Sequence, residues 1–357
     1  MTCRPLPPVG AHPKYFLQSG CVMRLAAIAH METSQDAASE MNTSENGTPN
    51  RRVTVMKFGG TSVGRPERMR QVARIVKTSA AEGRPVVVAS ALSGVTRQLD
   101  AALEDVAAGR LAPEQAVEAM RERHTEHAAA VLPPEGRERY ESLLERELAR
   151  YADALRQAAT SGATPELRDR VLATGELCSV PLLAEALRAE GLNAAYGVST
   201  ELFVTDDAFG KARVDRDATA KNVRGWFAGC ADEAIPLLAG YVGSTPRGQT
   251  TTLGFEGSDY SAALVAAFLR ADAFERWTDV DGLFTADPNA DPDAEHIDEL
   301  TMEQAARLND EGGLGMHPKA LRPLLEAGIP AHIRCTTKPE GEGTRIRPEG
   351  VLAEERG

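Results

Sequence analysis

Short apolar runs alternate with longer stretches of helical periodicity from Arg51 onwards. Strands are predicted at VTVMKF, PVVVAS, AAYGV, ELFVT, AIPLLAGYV, AFERWT and IPAHIRC. Helices are predicted at PERMRQVARIVKTSAAEG, SDYSAALVAAFLR, TMEQAARLN and HPKALRPLLEAG, and over a long stretch from about 97 to 190. Pro133-Pro134 and Gly162 divide that stretch into three or four helices. Strands that are apolar on both faces and alternate with helices predict an α/β fold with a mostly parallel, buried sheet.

The first fifty residues have a different composition. Residues 1–50 carry prolines, scattered serine, threonine and asparagine, and one short apolar run that a charged residue interrupts. This composition predicts disorder rather than a signal peptide. Met23, Met31 or Met41 is an alternative start, which would make part of the segment a mistranslated leader. We expect a chain starting near Asn50 to keep its melting temperature and its activity.

Charge and cysteine usage exclude several classes of protein. Lys and Arg total 40 against 52 for Asp and Glu, a net charge of −12 that disfavours nucleic acid and anionic membranes as partners. No apolar stretch is long enough to predict a transmembrane helix. Five scattered cysteines without a C-x-x-C pair form neither a disulfide framework nor a zinc site. The prediction is a cytoplasmic protein.

A glycine-rich loop follows the first strand. In KFGGTSVG, Gly59 and Gly60 allow close approach of the backbone to a phosphate, and Thr61 adds a hydroxyl group. Lys57 would direct a cation at the same point. The alternative is a tight strand–helix turn with a solvent-exposed lysine. The loop lacks the G-x-x-x-x-G-K-[ST] pattern of a Walker A motif.

Two further segments carry candidate chemistry, and one pair of histidines does not. Residues 247–261, RGQTTTLGFEGSDYS, place hydroxyls and glycines before Ser258 and Asp259, which predicts a polyanion cradle or, alternatively, a simple helix N-cap. The loop TDVDGLFTADP is acidic but does not fit a calcium-binding loop. His124 and His127 lie on a charged helical stretch, where a solvated face is favoured over a metal site.

Together these segments resemble a known family. KFGGTSVG, VLATGELCSVPLLAEAL, GYVGSTPRGQTTTLGFEGSDYSAAL, WTDVDGLFTADP, HPKALRPL and GTRI look like the motifs of aspartokinases of the amino acid kinase superfamily, in the same order. The resemblance implies a three-layer α/β/α sandwich as a catalytic domain over residues 51–346. It implies phosphorylation of the side-chain carboxylate of L-aspartate by ATP with Mg²⁺, the first step towards lysine, threonine and methionine. It also implies a homodimer.

The resemblance assigns roles to individual residues. The catalytic residues would be Lys57 and Asp259, with Asp259 orienting the reacting groups or organising Mg²⁺. The implied ATP-binding residues are Lys57, Gly59, Gly60, Thr61, Thr278, Asp279, Phe284 and Lys319. The implied substrate-binding residues are Ser90, Thr96, Glu176, Arg213 and Ser258, with Glu176 holding the ammonium group.

Several positions depart from the family pattern. Phe255 stands where relatives have an arginine that grips a substrate carboxylate, and Phe284 stands where many have tyrosine. Asn289 and Leu314 replace a further arginine and a lysine near ATP. Each lost charge-assisted hydrogen bond typically costs about 1.5–3 kcal/mol. Arg213, in FGKARV, and Lys319, in HPK, are the nearest cations that could compensate.

Three functions therefore stay open at the level of sequence. They are a working aspartokinase, a catalytically weak relative that acts as a binding or regulatory subunit, and a kinase for another small acid such as acetylglutamate, glutamate or carbamate. Intact TSVG, GEL and WTDV motifs favour the first.

Regulation is a separate expectation. Aspartokinases usually carry C-terminal ACT modules that bind lysine or threonine, and only the eleven residues 347–357 follow GTRI here. We expect no ACT module in this tail and no feedback inhibition by either amino acid. A separate regulatory chain or a split enzyme is the alternative.

Overall fold

The computed structural model of the chain describes residues 51–285, 293–310 and 318–348. The predicted N-terminal extension, residues 1–50, lies outside the described residues, as does the C-terminal tail beyond residue 348. The expectations for these two segments therefore stay predictions.

A central eight-stranded sheet organises the described residues. Its strands are β1 (Val53–Phe58), β2 (Arg84–Ala89), β3 (Asn193–Gly197), β4 (Ala234–Ala239), β7 (Ala273–Thr278), β10 (Glu299–Thr301), β11 (Ala331–Cys335) and β12 (Thr344–Arg347). Their order is β10-β12-β11-β7-β1-β2-β4-β3. Neighbouring strands are parallel except β11 and β12. The mostly parallel sheet predicted from the apolar runs is confirmed.

Two short hairpins lie outside this sheet. They pair β5 (Val242–Ser244) with β6 (Thr250–Thr252), and β8 (Leu283–Phe284) with β9 (His296–Ile297). Both hairpins are inserted in the connections that follow sheet strands, so they extend the loops in which the candidate chemistry lies.

Helices cover both faces of the sheet. Those on one side are α2 (Pro66–Glu82), α3 (Val95–Ala107), α4 (Pro113–Val131), α5 (Pro134–Ser161) and α6 (Pro165–Ala189). Those on the other are α8 (Arg216–Gly229), α9 (Gly257–Leu269), α10 (Met302–Asp310) and α11 (Pro318–Ala327). Successive strand residues separate the two cores, since Met56 and Phe58 belong to the first and Val55 to the second. The chain is the three-layer α/β/α sandwich that the resemblance implied.

The segment ELFVT does not form the predicted strand. The chain there begins with α7 (Ser199–Leu202), and only single bridges join Val204 to Ser244 and Thr205 to Val214. Its apolar residues reflect burial instead, because Leu202 and Phe203 belong to the second core. Conversely, the threonine run Thr250–Thr252, which was not among the predicted strands, forms strand β6.

The prediction of a solvated face at His124 and His127 is wrong. Their side chains are 0% and 4% exposed on α4. Desolvation lowers the pKa of each to about 4, so both rings are neutral. Glu126, which lies between them in sequence, is exposed, because a spacing of three places the two histidines on one buried helix face. Among the described residues no cluster of three or more potential metal ligands exists.

Gly175 sets how closely α6 approaches the loop after β2. A Cβ atom at this position would lie 2.8 Å from the Cβ of Ala91, with Leu99 and Val95 at 3.4 Å. The helix therefore depends on glycine here, although glycine in a helix interior is otherwise unfavourable.

We predict opposite effects for two glycine-to-alanine substitutions in helices. Gly175→Ala overpacks this contact and should destabilise the protein by about 1–3 kcal/mol. Gly225→Ala, in α8, meets no atom within 4 Å and should stabilise by about 0.5–1 kcal/mol through helix propensity alone. Urea unfolding of both variants measures the difference. Equal free energies of unfolding for the two would contradict the packing argument.

Candidate active site

The candidate residues lie at the carboxyl ends of parallel strands β1, β2, β4 and β7. The short helix α1 (Gly60–Val63) follows β1, and α9 begins close to the end of β4. A Cβ on Gly240, just after β4, would lie 2.7 Å from the Cα of Ser258, which shows how tightly the start of α9 packs there. This edge is where ligands bind in open α/β sheets.

An ion-paired trio forms the centre of the site. Lys57 Nζ lies 2.6 Å from Asp259 Oδ1, and Arg276 Nε lies 3.4 Å from Asp259 Oδ2. The Lys57 and Asp259 side chains are 8% and 3% exposed. Burial raises the pKa of Asp259, but the charges of Lys57 and Arg276 outweigh it and hold that pKa below its usual value. Asp259 is therefore an ionised carboxylate between two cations.

This geometry excludes the simpler interpretations of both loops. Lys57 is buried and paired, so it is not a solvent-exposed lysine on a turn. Helix α9 begins at Gly257 with Glu256 as its N-cap, and no side chain caps it through a hydrogen bond. Ser258 and Asp259 lie inside its first turn, so neither serves as an N-cap.

The glycine-rich loop passes close to the Lys57 ammonium group and to the loop after β2. A Cβ on Gly59 would lie 3.5 Å from Lys57 Nζ, and one on Gly60 would lie 3.0 Å from the carbonyl oxygen of Ala91. Ser62 attaches the loop to the segment after β11, because its hydroxyl lies 2.7 Å from the hydroxyl of Thr336. Thr61 is exposed, and its carbonyl accepts from Arg68 at 3.0 Å. Glycine at positions 59 and 60 therefore keeps side chains out of the contacts that this loop makes with Lys57 and Ala91.

Glu176 is a buried carboxyl group on α6 that faces the same region. Its side chain is 3% exposed, and its Oε2 atom has no hydrogen-bond partner among the described residues. Desolvation raises its pKa to about 8, although the backbone N–H groups of Ala91 and Glu176 and the charge of Lys57 act in the opposite direction. At neutral pH the isolated chain therefore holds Glu176 mostly protonated.

The two predicted hydroxyl residues of the ASALSGVT segment lie beside Glu176. Ser90 donates its N–H to Phe58 at 3.1 Å, and its carbonyl accepts from the Ser179 hydroxyl at 2.7 Å. Thr96 is half-buried in the first turn of α3, which follows Gly94 at φ 82°. The loop after β2 is thus held between β1 and α6.

The predicted nucleotide residues are more dispersed. Thr278 ends β7, where its carbonyl accepts from Thr336 at 2.8 Å, and its hydroxyl donates to Asp279 at 3.2 Å. Asp279 is exposed, and Phe284 packs edge-on against His296 with ring centroids 5.2 Å apart. Thr278 lies next to the glycine-rich loop, because the N–H of Gly59 donates to the carbonyl of Trp277, the residue before Thr278, at 3.5 Å.

The two cations proposed as compensation occupy different environments. Lys319 Nζ lies 3.2 Å from the carbonyl of Leu253 and 4.5 Å above the ring of Tyr260, next to Asp259 in sequence. Desolvation lowers the pKa of Lys319. Arg213 is exposed, and its backbone N–H donates to Asp206 at 2.9 Å. Asn289 and Leu314 lie outside the described residues.

Sequence reasoning missed a buried carboxylate on α6. Asp169 accepts from Gly210 N–H at 2.9 Å, from Thr252 N–H at 2.8 Å and from the Thr252 hydroxyl at 2.7 Å. Burial raises the pKa of Asp169, and these hydrogen bonds oppose the rise. Asp169 precedes Glu176 by seven residues, two helical turns, so both lie on one face of α6. That spacing was the available signal.

Arg276 and Tyr241 were also missed. Arg276 lies within the strand AFERWT, and only the register of β7 against β1 places it opposite Lys57. Tyr241 has a left-handed backbone at φ 69°, and its hydroxyl hydrogen-bonds with Thr252. A non-glycine residue with positive φ at such a loop is a common feature of functional sites.

Comparison with known proteins places this geometry in context. The family model described as the amino acid kinase family matches residues 52–335. The chain is 33% identical over 297 residues to lysine-sensitive aspartokinase 3 of Escherichia coli (strain K12), covering 82% of this chain and 64% of that protein. It is 30% identical over 320 residues to an aspartokinase of Candida albicans, covering 83% of this chain and 57% of that protein.

Solved structures give the same result. The crystal structure of E. coli aspartokinase III in complex with aspartate and ADP, in its R-state, superposes with a TM-score of 0.75 at 32% identity, covering 84% of this chain and 65% of that chain. The T-state of that enzyme with lysine and aspartate gives a TM-score of 0.74 at 32% identity, covering 85% of this chain and 66% of that chain. The chain thus spans 57–66% of the length of these relatives.

We predict that Glu176 makes folding stability fall as pH rises. Between the unfolded pKa of 4.5 and the folded pKa of about 8, the folded protein binds a proton that the unfolded chain has lost. The free energy of unfolding should therefore decrease over this range by on the order of a few kcal/mol. Glu176→Gln should remove that decrease, so its melting temperature should exceed that of the wild type increasingly from pH 5 to pH 8.

Glu138→Gln, on the exposed face of α5, is the matched control. It should follow the wild-type curve at every pH. A Glu176→Gln curve that runs parallel to the wild type would show that Glu176 is ionised in the folded protein.

Proposed function

Because the chain belongs to the amino acid kinase family, we propose that it is an ATP-dependent aspartate kinase that forms 4-phospho-L-aspartate. Two observations on relatives support the proposal. Proteins named aspartokinase match four fifths of the chain, and the E. coli structure that superposes with it holds aspartate and ADP.

The observation that carries the proposal is the pairing of buried Lys57 with Asp259 beside the glycine-rich loop. In phosphoryl transfer the protein acts mainly by positioning the reactants and stabilising charge. A carboxylate oxygen of aspartate would attack the γ-phosphorus of ATP, and the bond from that phosphorus to the leaving oxygen of ADP would break. Lys57 would stabilise negative charge on the transferring group, and Asp259 would orient Lys57.

Backbone groups complete the proposed phosphate site. Gly59 and Gly60 would let the phosphates approach the main chain closely, and the exposed Thr61 would add a hydroxyl group. Thr278, Asp279, Phe284 and Lys319 would bind the rest of the nucleotide.

Glu176 is the proposed partner of the substrate ammonium group. Its Oε2 atom is buried and lacks a hydrogen-bond partner among the described residues. An ammonium group placed there would supply both a donor and a positive charge, and it would favour the ionised carboxylate. Ser90, Thr96 and Ser258 are the neighbouring hydroxyl residues that would accept or donate to the remaining polar atoms of aspartate.

A divalent metal fits this site only through the nucleotide. Both carboxylate oxygens of Asp259 face cations, and the described residues contain no cluster of metal-ligating side chains. Mg²⁺ commonly binds substrate phosphates and water with few protein ligands. We infer that Mg²⁺ enters with ATP, where it would neutralise phosphate charge, and that Asp259 orients the cations instead of binding the metal.

The position of Phe255 bears on substrate affinity. Its side chain is 81% exposed on the loop before α9, beside Glu256 at φ 51°. A phenyl group cannot donate a hydrogen bond to a carboxylate. The grip on a substrate carboxylate that the family arginine would supply must come from other groups, such as Arg213.

Further properties follow the family as proposals. They are a role in the biosynthesis of lysine, threonine and methionine, assembly as a homodimer, and location in the cytoplasm. No helix in the described part of the chain has the length and apolar character needed to cross a membrane.

The test is an acyl-hydroxamate assay on the purified full chain. Protein, MgATP and hydroxylamine are combined with L-aspartate, L-glutamate or acetylglutamate, and ADP release is followed in parallel with carbamate as acceptor. We expect aspartyl hydroxamate to form faster than the other products. Hydroxamate only from another acid, or no product from any acceptor, would contradict the proposal and favour one of the alternatives.

Lys57→Ala should lower kcat/KM for ATP by at least about tenfold, because a cation on the developing phosphoryl charge is lost. Lys77→Ala, at an exposed position on α2, is the control and should behave as wild type. An unchanged kcat/KM for Lys57→Ala would remove this residue from the mechanism.

A further inference from the structure

Arg276 is a second cation at the centre of the site. On the parallel strands β1 and β7, Arg276 is the register partner of Lys57, so both side chains leave the same face of the sheet about 5 Å apart. Its side chain is 16% exposed. Two like charges this close, with little solvent around them, repel each other unless an anion lies between them.

Asp259 supplies only part of the required negative charge. Lys57 and Arg276 carry two positive charges and Asp259 carries one negative charge, which leaves a surplus of one positive charge. The nearby carboxyl of Glu176 does not cancel it at neutral pH, because burial keeps it mostly protonated. The whole chain has a net charge of −12 and therefore repels anions at long range. The local surplus of positive charge acts against this repulsion at the site.

The guanidinium group retains donors that the protein does not use. Its Nε atom faces Asp259 Oδ2 at 3.4 Å. Among the described residues none accepts a hydrogen bond from its Nη1 or Nη2 atoms. A guanidinium presents donors in a planar fork that suits phosphate oxygens, so these two amino groups could bind a phosphate while Nε keeps its contact with Asp259.

We propose that Arg276 is a phosphate-binding residue of this site, whose Nη groups bind the terminal phosphates of the nucleotide beside Lys57 while Nε holds Asp259. The inference rests on the proposed function for the identity of the polyanion.

The test measures ADP binding by titration calorimetry on the full-length protein, with adenosine as a ligand that lacks phosphate. Arg276→Met should weaken ADP binding by at least tenfold and leave adenosine binding unchanged. Arg276→Lys keeps the charge without the fork, so it should weaken ADP binding by an intermediate factor of about three to ten. Arg345→Met, at an exposed position on β12, is the matched control and should bind ADP as the wild type does.

Several outcomes would overturn the assignment. ADP binding by Arg276→Met within threefold of wild type would do so, even with a reduced kcat, because Arg276 would then act only through Asp259. If Arg276→Met does not fold, the affinity of Arg276→Lys for ADP is the test. Wild-type affinity for ADP in Arg276→Lys would contradict phosphate binding by the Nη groups of the guanidinium. An equal loss of ADP and adenosine binding would indicate a general structural role.

This experiment separates the inference from the proposed function. ADP binding needs no acceptor, so a wild type that binds ADP but forms no aspartyl hydroxamate would contradict only the aspartate kinase activity. A wild type that fails to bind ADP would contradict both.

Discussion

The ion pair between Lys57 and Asp259 is the interaction on which the candidate site depends. It joins the end of the central strand β1 to the first turn of α9 across 2.6 Å, with both side chains almost fully buried. Removing one partner of such a pair leaves an uncompensated buried charge, which typically costs about 3–5 kcal/mol. The pair therefore constrains where α9 begins, and with it the loop from Thr252 to Glu256 that precedes the helix.

A second set of contacts attaches α6 to the segments next to this ion pair. Asp169 on α6 binds Thr252 and Gly210, so the β6 strand and the loop before α8 are attached to the helix that also carries Glu176. Thr252 hydrogen-bonds with Tyr241 as well, whose strained backbone follows β4. Asp169 and Glu176 thus divide two tasks along one helix face. The first carboxyl accepts from three donor groups and joins elements of the fold, whereas the second keeps an oxygen unpartnered among the described residues, which is the basis of its proposed role with the substrate ammonium group.

Two cations on neighbouring strands face the Asp259 carboxylate. Lys57 belongs to β1 and Arg276 to β7. The surplus of positive charge is thereby built from two adjacent strands of the sheet instead of from a loop. A rigid strand holds a side chain more precisely than a loop does, which suits a group that must stay close to both Asp259 and a phosphate.

The sequence by itself determined the layered α/β fold and most of the candidate residues. Alternating apolar runs and helical periods reflect local propensity and burial, and the KFGGTSVG, GEL and GSDY segments are contiguous, so linear order was enough to find Lys57, Glu176 and Asp259. Tertiary structure alone decided the rest. Arg276 and Lys57 are more than two hundred residues apart, and only strand register makes them neighbours. His124 and His127 lie in a charged run, but the packing of α4 buries them. The pKa of Glu176 likewise depends on desolvation, which is a property of everything packed around the side chain and cannot be assigned from the residue and its neighbours in sequence.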